Sequence, residues 1–370
     1  MKHYQIDDVV IKWVNDFLTN RKQQVIVEGN KSSTFDVKSG VPQGSVLGPL
    51  LFLIYINLMV EKVNDNDGMY LFADDLKLYS QTLSNEEINE MQLKIDRIDD
   101  WTKYSLLKFN AQKCKVMRLS SNKKDVGKPC YNIGDRKISL CDNIEDLGVK
   151  FDNHLSFETH INEKVNKANQ LAGMIRRSFV YLDKTMFRSL FTSIVRPHLE
   201  YGATLWNPLH KRLIEIIENV QRRASKQVPG LSQLSYKERL KSLKLPTLQY
   251  RRYRGDMIEL YKLFNNCYNE SISMKLRKSL QSNFTRKSTR NHKFSIYKTP
   301  FTKMVRKSYF KCRVTEQWNN LPESIVEAPS INAFKNRLDE IWKKDDIMFD
   351  VDINLREITS SRHLKYRTLK

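Results

Sequence analysis

Met69-Tyr70-Leu71-Phe72-Ala73-Asp74-Asp75-Leu76-Lys77-Leu78-Tyr79 places two adjacent carboxylates behind one small residue, between two apolar and aromatic runs. The flanks predict two short strands, and Ala73-Asp74-Asp75 the tight bend between them. Two acids at a hairpin tip repel each other, and hard oxygen ligands suit a divalent cation such as magnesium. Asp is also a favoured turn residue for purely local reasons, so the pair alone leaves both readings open.

The segment about thirty residues upstream narrows the choice. It reads Ser39-Gly40-Val41-Pro42-Gln43-Gly44-Ser45-Val46-Leu47-Gly48-Pro49 and continues as Leu50-Leu51-Phe52-Leu53-Ile54-Tyr55-Ile56-Asn57-Leu58-Met59. Glycines let a backbone approach a ligand closely, and Gln43 offers both a donor and an acceptor. A proline such as Pro49 suits the first turn of a helix. The apolar run is too short to span a membrane and predicts a core helix. A plain Gly/Pro connector ahead of such a helix is the competing reading.

Together these blocks resemble the reverse transcriptases of non-LTR, LINE-type retrotransposons, most closely the jockey-like group. Further blocks match in order. Phe17-Leu18-Thr19-Asn20-Arg21-Lys22-Gln23-Gln24-Val25 resembles the stretch before the Pro-Gln-Gly loop. Leu107-Lys108-Phe109-Asn110-Ala111-Gln112-Lys113-Cys114 resembles the block after the catalytic hairpin, and Asp146-Leu147-Gly148-Val149 the primer grip. Val195-Arg196-Pro197-His198-Leu199-Glu200-Tyr201-Gly202 and Val220-Gln221-Arg222-Arg223-Ala224 resemble the helical thumb and the region beyond it.

The resemblance implies an RNA-directed DNA polymerase that works on an RNA template, a DNA primer and deoxynucleoside triphosphates. It places catalytic magnesium, in a two-ion site, on Asp74 and Asp75. Phe72 and Ala73 would shape the turn under the primer end. Pro42, Gln43, Gly44 and Ser45 would lie beside the incoming nucleotide and template. Lys113 would stand near the departing pyrophosphate, where an ammonium can stabilise or protonate the leaving group; as a surface lysine it would do neither. Leu147 and Gly148 would support the primer strand. The family's first palm carboxylate lies on an earlier strand, behind a fingers domain. Asp7 and Asp8 directly precede the periodic segment Val9, Val10, Trp13, Val14 and Phe17, which suits helix capping rather than a metal site. The expectation is therefore an N-terminally truncated palm with an incomplete two-ion site and no endonuclease domain. An inactive nucleic-acid-binding remnant is the alternative.

The formal charge is +21, and the stretch 211–311 carries +19 of it, with 25 Lys and Arg against 6 Asp and Glu. Aromatics interleave with this charge at Tyr250-Arg251-Arg252-Tyr253-Arg254, Phe284-Thr285-Arg286-Lys287, Tyr297-Lys298 and Phe310-Lys311. That pattern predicts a phosphate-binding surface with stacking side chains. Arg222, Arg223, Arg251, Arg252 and Arg254 are its candidate contacts. Arg251, Arg252 and Arg254 cannot share one helical face, so at least one is expected to face the core or pair with Asp256 or Glu259. The five Cys at 114, 130, 141, 267 and 312 form no Cys-x-x-Cys pair. This argues against zinc and predicts a reduced, intracellular protein, nuclear or cytoplasmic, without a membrane span.

The expected fold class is α+β: a partial polymerase palm of antiparallel sheet and helices at 1–152, a helical thumb at 153–230, a basic helical region at 231–345 and a disordered tail at 346–370. Strands are predicted at 23–27, 36–39, 70–73, 77–80, 115–119, 137–140 and 146–151. Helices are predicted at 84–104, with a capping signal in Ser84-Asn85-Glu86-Glu87 and a core stripe of Ile88, Met91, Ile95, Ile98 and Trp101, and at 160–179, 183–196 and 210–228, with stops at Pro197 and Pro229. Further starts fall at Ser235-Tyr236-Lys237-Glu238 and at Leu245-Pro246-Thr247. A basic loop is expected at 275–302, and helices over 309–344 broken at Pro322 and Pro329.

Overall fold

The computed structural model describes residues 1–63, 68–81, 84–119, 130–269, 292, 294–298, 300–301, 304–343 and 347–351. The chain divides into two compact units, 1–141 and 142–370.

The first unit begins with α1 (Asp8–Leu18), whose N-cap Asp7 accepts the amide of Val9 at 2.8 Å. The acids here act as helix-start residues, as expected. Next come two small ribbons: β1 (Lys22–Gln23) pairs with β4 (Phe35–Asp36), and β2 (Ile26–Val27) with β3 (Asn30–Lys31). The single strand expected at 23–27 is thus two short ones. Helix α2 (Gly48–Val63) follows the Gly/Pro loop. It buries Leu51, Ile56, Met59 and Val63, while Leu50, Leu53 and Tyr55 stay exposed, so it is half covered rather than fully buried.

Hairpin β5 (Met69–Phe72) and β6 (Asp75–Leu78) leads to α3 (Asn85–Ser105). The capping box predicted at Ser84 forms: Ser84 Oγ accepts the Glu87 amide, and Glu87 accepts the Ser84 amide. Such a cap stabilises a helix by about 1 kcal/mol. The predicted stripe packs as core, with Met91, Ile95, Ile98 and Trp101 buried and Ile88 half-buried. Ile98 and Trp101 join α2, and Met91 and Ile95 join Tyr131 and Ile138. Strands β7 (Lys115–Val116), β8 (Asn132–Ile133), β9 (Arg136–Lys137) and β10 (Ser139–Leu140) complete the unit; β7 and β10 are parallel, and β8 and β9 antiparallel. Among the described residues every sheet is a two-stranded ribbon. The class is α+β.

The second unit opens with hairpin β11 (Asn143–Asp146) and β12 (Val149–Asp152), where a single strand over 146–151 is expected. The chain turns here because Leu147 and Gly148 both take positive φ, 46° and 79°, the requirement of a two-residue turn matched to strand twist. Helices α4 (Glu158–Ser178), α5 (Lys184–Leu190), α6 (Arg196–Glu200), α7 (Ala203–Trp206), α8 (Lys211–Ser225), α9 (Tyr236–Leu243) and α10 (Leu248–Phe264) follow. Pro197 does not stop its helix. The chain widens into a π-turn, Phe191–Val195, before α6. A proline has no amide to give a carbonyl four residues back, and a widened turn absorbs that missing donor. Helices start where expected, with a capping box at Ser235 and Thr247 as the cap of α10. Helices α11 (Met304–Ser308), α12 (Phe310–Asn319), α13 (Glu323–Val326) and α14 (Ile331–Lys343) end the unit, broken at the expected prolines.

Two cores result. One runs from Val149 to Leu248, and the other from Tyr250 to Trp342, with Trp318 fully buried. Some of the buried charges are held by internal partners, whereas buried Arg252 leaves Nη1 and Nη2 without a hydrogen-bond partner among the described residues. Arg313 grips Asp256 through Nε at 3.0 Å and Nη2 at 2.9 Å, and both side chains are out of solvent. Glu218 accepts the Tyr236 hydroxyl at 2.6 Å and the first two amides of α10 at 3.2 Å. His160 is buried against Trp206 and accepts the Lys150 amide at Nδ1. Burial pushes its pKa down to about 4. The expected loop 275–302 lies largely outside the described residues, as does the tail beyond 351. The start of that tail is ordered rather than loose: Thr247 donates to the Met348 carbonyl at 2.9 Å, and Lys237 meets Asp350 at 3.3 Å.

Candidate active site and nucleic-acid interface

In β5–β6, Phe72 pairs with Asp75, so only Ala73 and Asp74 form the loop. Ala73 takes φ 51°, the sign a two-residue hairpin loop needs at its first position. Alternation then assigns faces. Met69, Leu71, Leu76 and Leu78 pack on the α2–α3 core. Tyr70, Phe72, Asp75, Lys77 and Tyr79 are exposed, and the Tyr70 and Tyr79 rings stack at 5.6 Å. Asp74 and Asp75 both present carboxylates to solvent. A pair of hard oxygen donors at the exposed tip of a hairpin whose other face packs on the core fits the chemistry of magnesium. Among the described residues, no group of three or more His, Cys, Asp or Glu gathers as a metal centre.

The Pro-Gln-Gly loop is folded on itself. Ser45 Oγ donates to the Pro42 carbonyl at 2.7 Å and accepts the Gly48 amide at 3.0 Å. A β-carbon at Gly48 would stand 2.7 Å from that carbonyl, so the turn into α2 requires glycine. Gln43 and Gly44 are exposed at the loop's outer edge. Lys113 is exposed in a turn closed by its own amide on the Asn110 carbonyl at 2.9 Å. In the second unit, Leu147 and Gly148 form the tip of β11–β12, and Tyr201 donates its hydroxyl to the Leu147 carbonyl at 2.8 Å.

Residues 1–151 match the reverse transcriptase (RNA-dependent DNA polymerase) family. That stretch is similar to a reverse transcriptase domain. The chain is 26% identical over 229 residues to the RNA-directed DNA polymerase from mobile element jockey of Drosophila melanogaster, covering 59% of this chain and 25% of the relative. It is 24% identical over 226 residues to the probable RNA-directed DNA polymerase from transposon X-element of the same species, over 59% of this chain and 24% of the relative. A retrovirus-related Pol polyprotein from type-1 retrotransposable element R1 of Bradysia coprophila is 26% identical over 180 residues, covering 46% of this chain and 18% of the relative. The jockey-like resemblance read from the motifs is borne out. The chain spans about a quarter of the length of the jockey relative.

The matched residues are followed by helices in which the expected basic surface needs correction. Arg252 is 2% exposed and donates from Nε to Asn207 at 3.1 Å. Arg251 is held by Glu200, with Nη2 at 2.9 Å from its carboxylate. Arg254 forks onto Asp339 at 2.6 and 2.8 Å. Tyr250 and Tyr253, expected to stack on bases, are buried, and so is Lys311. The expected partner Asp256 is taken by Arg313. These side chains join helices to one another and do not form a phosphate surface. Of the original five, Arg223 is exposed, while Arg222 lies half-buried over the Tyr236 ring. Arg223 meets two residues that the sequence reading missed. With Arg176 and Arg177 it lines a groove of about 570 Å³ between α4 and α8, whose polar wall includes Asn169 and Gln227. Basic residues in the last turns of both helices suit the negative ends of their dipoles. Arg-Arg at the end of a helix was visible in the sequence; what it faces was not.

Proposed function

We propose that this chain is part of an enzyme that copies RNA into DNA, with Asp74 and Asp75 as its magnesium-holding carboxylates. The observation carrying the reading is the pair of exposed acids at the tip of a packed hairpin, inside the residues that match the reverse transcriptase family. Bound magnesium would neutralise the two carboxylates and polarise the triphosphate of an incoming deoxynucleotide. The Pro42-Gln43-Gly44-Ser45 loop, stiffened by its Ser45 bonds, would present Gln43 to that nucleotide and the template base. Lys113 would carry the charge of the departing pyrophosphate. The Leu147-Gly148 tip would bear on the DNA primer, and Phe72 and Ala73 on its end.

Manganese titration with paramagnetic broadening as the readout tests the metal site. Broadening should centre on the 72–76 segment and vanish in Asp74→Asn/Asp75→Asn. Equal broadening in that variant would overturn the assignment.

A second reading, nucleic-acid binding without polymerisation, draws on the Arg176, Arg177 and Arg223 groove, which can attract a phosphate backbone with no metal at all. Primer extension on an RNA template separates the two. Extension abolished by Asp74→Ala supports the polymerase, and retained binding with no extension supports the second reading.

A further inference from the structure

The motif Glu200-Tyr201-Gly202 has no role in the chemistry above, yet it meets the Leu147-Gly148 tip directly. Leu147 is a poor residue for its place. Both loop positions of β11–β12 need positive φ, and asparagine, aspartate or glycine normally fills them. Leucine at φ 46° is held against its own preference. Such strain persists where surrounding structure over-determines it. Here the over-determination comes from Tyr201. Its hydroxyl donates to the Leu147 carbonyl at 2.8 Å, across 54 residues of sequence. Its ring lies against Gly148, close enough that a β-carbon there would stand 3.4 Å from it.

Tyr201 is itself fixed. Its carbonyl accepts the Trp206 indole N–H at 2.8 Å, and Trp206 is buried in the first core of the unit. Gly202 beside it takes φ 64°, and a β-carbon there would come within 2.9 Å of Val149 Cγ2. The glycine therefore lets the Tyr201 backbone lie directly on β12. The path runs from the core through Trp206 and Tyr201 to the turn. Tyr201 and Leu147 nonetheless remain 57% and 44% exposed, so the pinned tip faces solvent.

We infer that Tyr201 is the positioning residue of the Leu147-Gly148 turn, holding it in the conformation that receives the 3′-terminal stretch of a primer strand. The inference rests on the proposed role of that turn. The test uses the whole chain and two variants, Tyr201→Phe and Tyr201→Phe/Leu147→Asn. The first removes only the hydroxyl and keeps the ring and the Trp206 bond. The second supplies a residue that takes left-handed φ without help.

Amide exchange read by mass spectrometry, without nucleic acid, follows the turn. Binding of an RNA–DNA duplex with a recessed DNA 3′ end, compared with the same duplex made blunt, follows the primer. In Tyr201→Phe, exchange at 147–149 should rise, and preference for the recessed end should fall roughly two- to tenfold, the range of one neutral hydrogen bond. Blunt-duplex affinity should not change, and adding Leu147→Asn should return exchange at 147–149 to the parent level. Unchanged exchange in Tyr201→Phe would overturn the positioning role. A rise in exchange with no end preference in the parent chain would instead remove the primer role of the turn, and the inference with it. Exchange that stays raised when Leu147→Asn is added would show that the hydroxyl does not act by holding the strained φ, and would overturn positioning.

Discussion

The two units use their polar residues in opposite ways. In the first, the carboxylates with a proposed chemical role stand in solvent on a ribbon tip, and the cores beneath are small. In the second, the charges that look most available in the sequence are internal. Arg252 and Arg313 are buried, and Arg251 and Arg254 are paired. Charge along the chain therefore takes two forms here, an exposed candidate site in one unit and an internal framework in the other.

The sharpest way to break this contrast is to delete one acid from each unit. Asp256→Ala leaves the Arg313 guanidinium buried without its carboxylate. Loss of one member of a buried pair costs about 3–5 kcal/mol, and urea unfolding should read that loss for the second unit. Asp74→Ala should leave stability within about 0.5 kcal/mol of the parent, as exposed substitutions do. Equal costs at both positions would erase the distinction.

Acid should also separate the units. His160 has a normal pKa near 6.5 and a folded value of about 4. The unfolded chain therefore binds the extra proton first. Stability from this group is complete above pH 6.5 and is lost as pH falls toward 4, by about 3 kcal/mol across that window. His160→Gln should flatten the difference in unfolding midpoint between pH 7 and pH 4.5. A parallel fall in both proteins would refute this origin.

Binding sharpens the comparison further. Replacing Arg176, Arg177 and Arg223 by Gln should weaken duplex and single-strand binding alike. It should also reduce the slope of log affinity against log salt by about 0.7–0.9 for each phosphate the protein no longer neutralises. Arg254→Gln should leave that slope unchanged and lower stability instead. If Arg254 moves the slope and the groove does not, the basic framework is a surface after all.

The smallest effect is expected at Ala73. Ala73→Gly relieves the positive φ of the hairpin tip, and the balance against a looser unfolded chain should remain within about 1 kcal/mol.

These contrasts also mark what the sequence could disclose. Local signals were legible. The capping boxes at Ser84 and Ser235, the stripe Met91, Ile95, Ile98 and Trp101, and the bend at Ala73-Asp74 each depend on residues within a few positions. The exposure of Asp74 and Asp75 was legible for the same reason, because a hairpin tip is exposed by its own geometry. The turn at Leu147 was missed because leucine gives no turn signal, and its conformation depends on Tyr201, 54 residues away. The partners of Arg251, Arg252 and Arg254 lie 51, 45 and 85 residues away. No local pattern can report whether such a partner exists. The groove of Arg176, Arg177 and Arg223 depends in the same way on two helices meeting.

Helix α10 has a consequence for how the second unit comes apart. Its first residue, Leu248, belongs to one core, and Tyr250 onward belongs to the other. Its N-terminus is held by the Glu218 carboxylate and by the Met348 carbonyl, from opposite directions in the chain. Neither core can open without loosening this helix. Global unfolding of 142–351 should then be a single cooperative event, with slow-exchanging amides near Leu199 and near Trp318 released at one common free energy. Protease sites inside either core would become accessible together, and a nick in one would release the other.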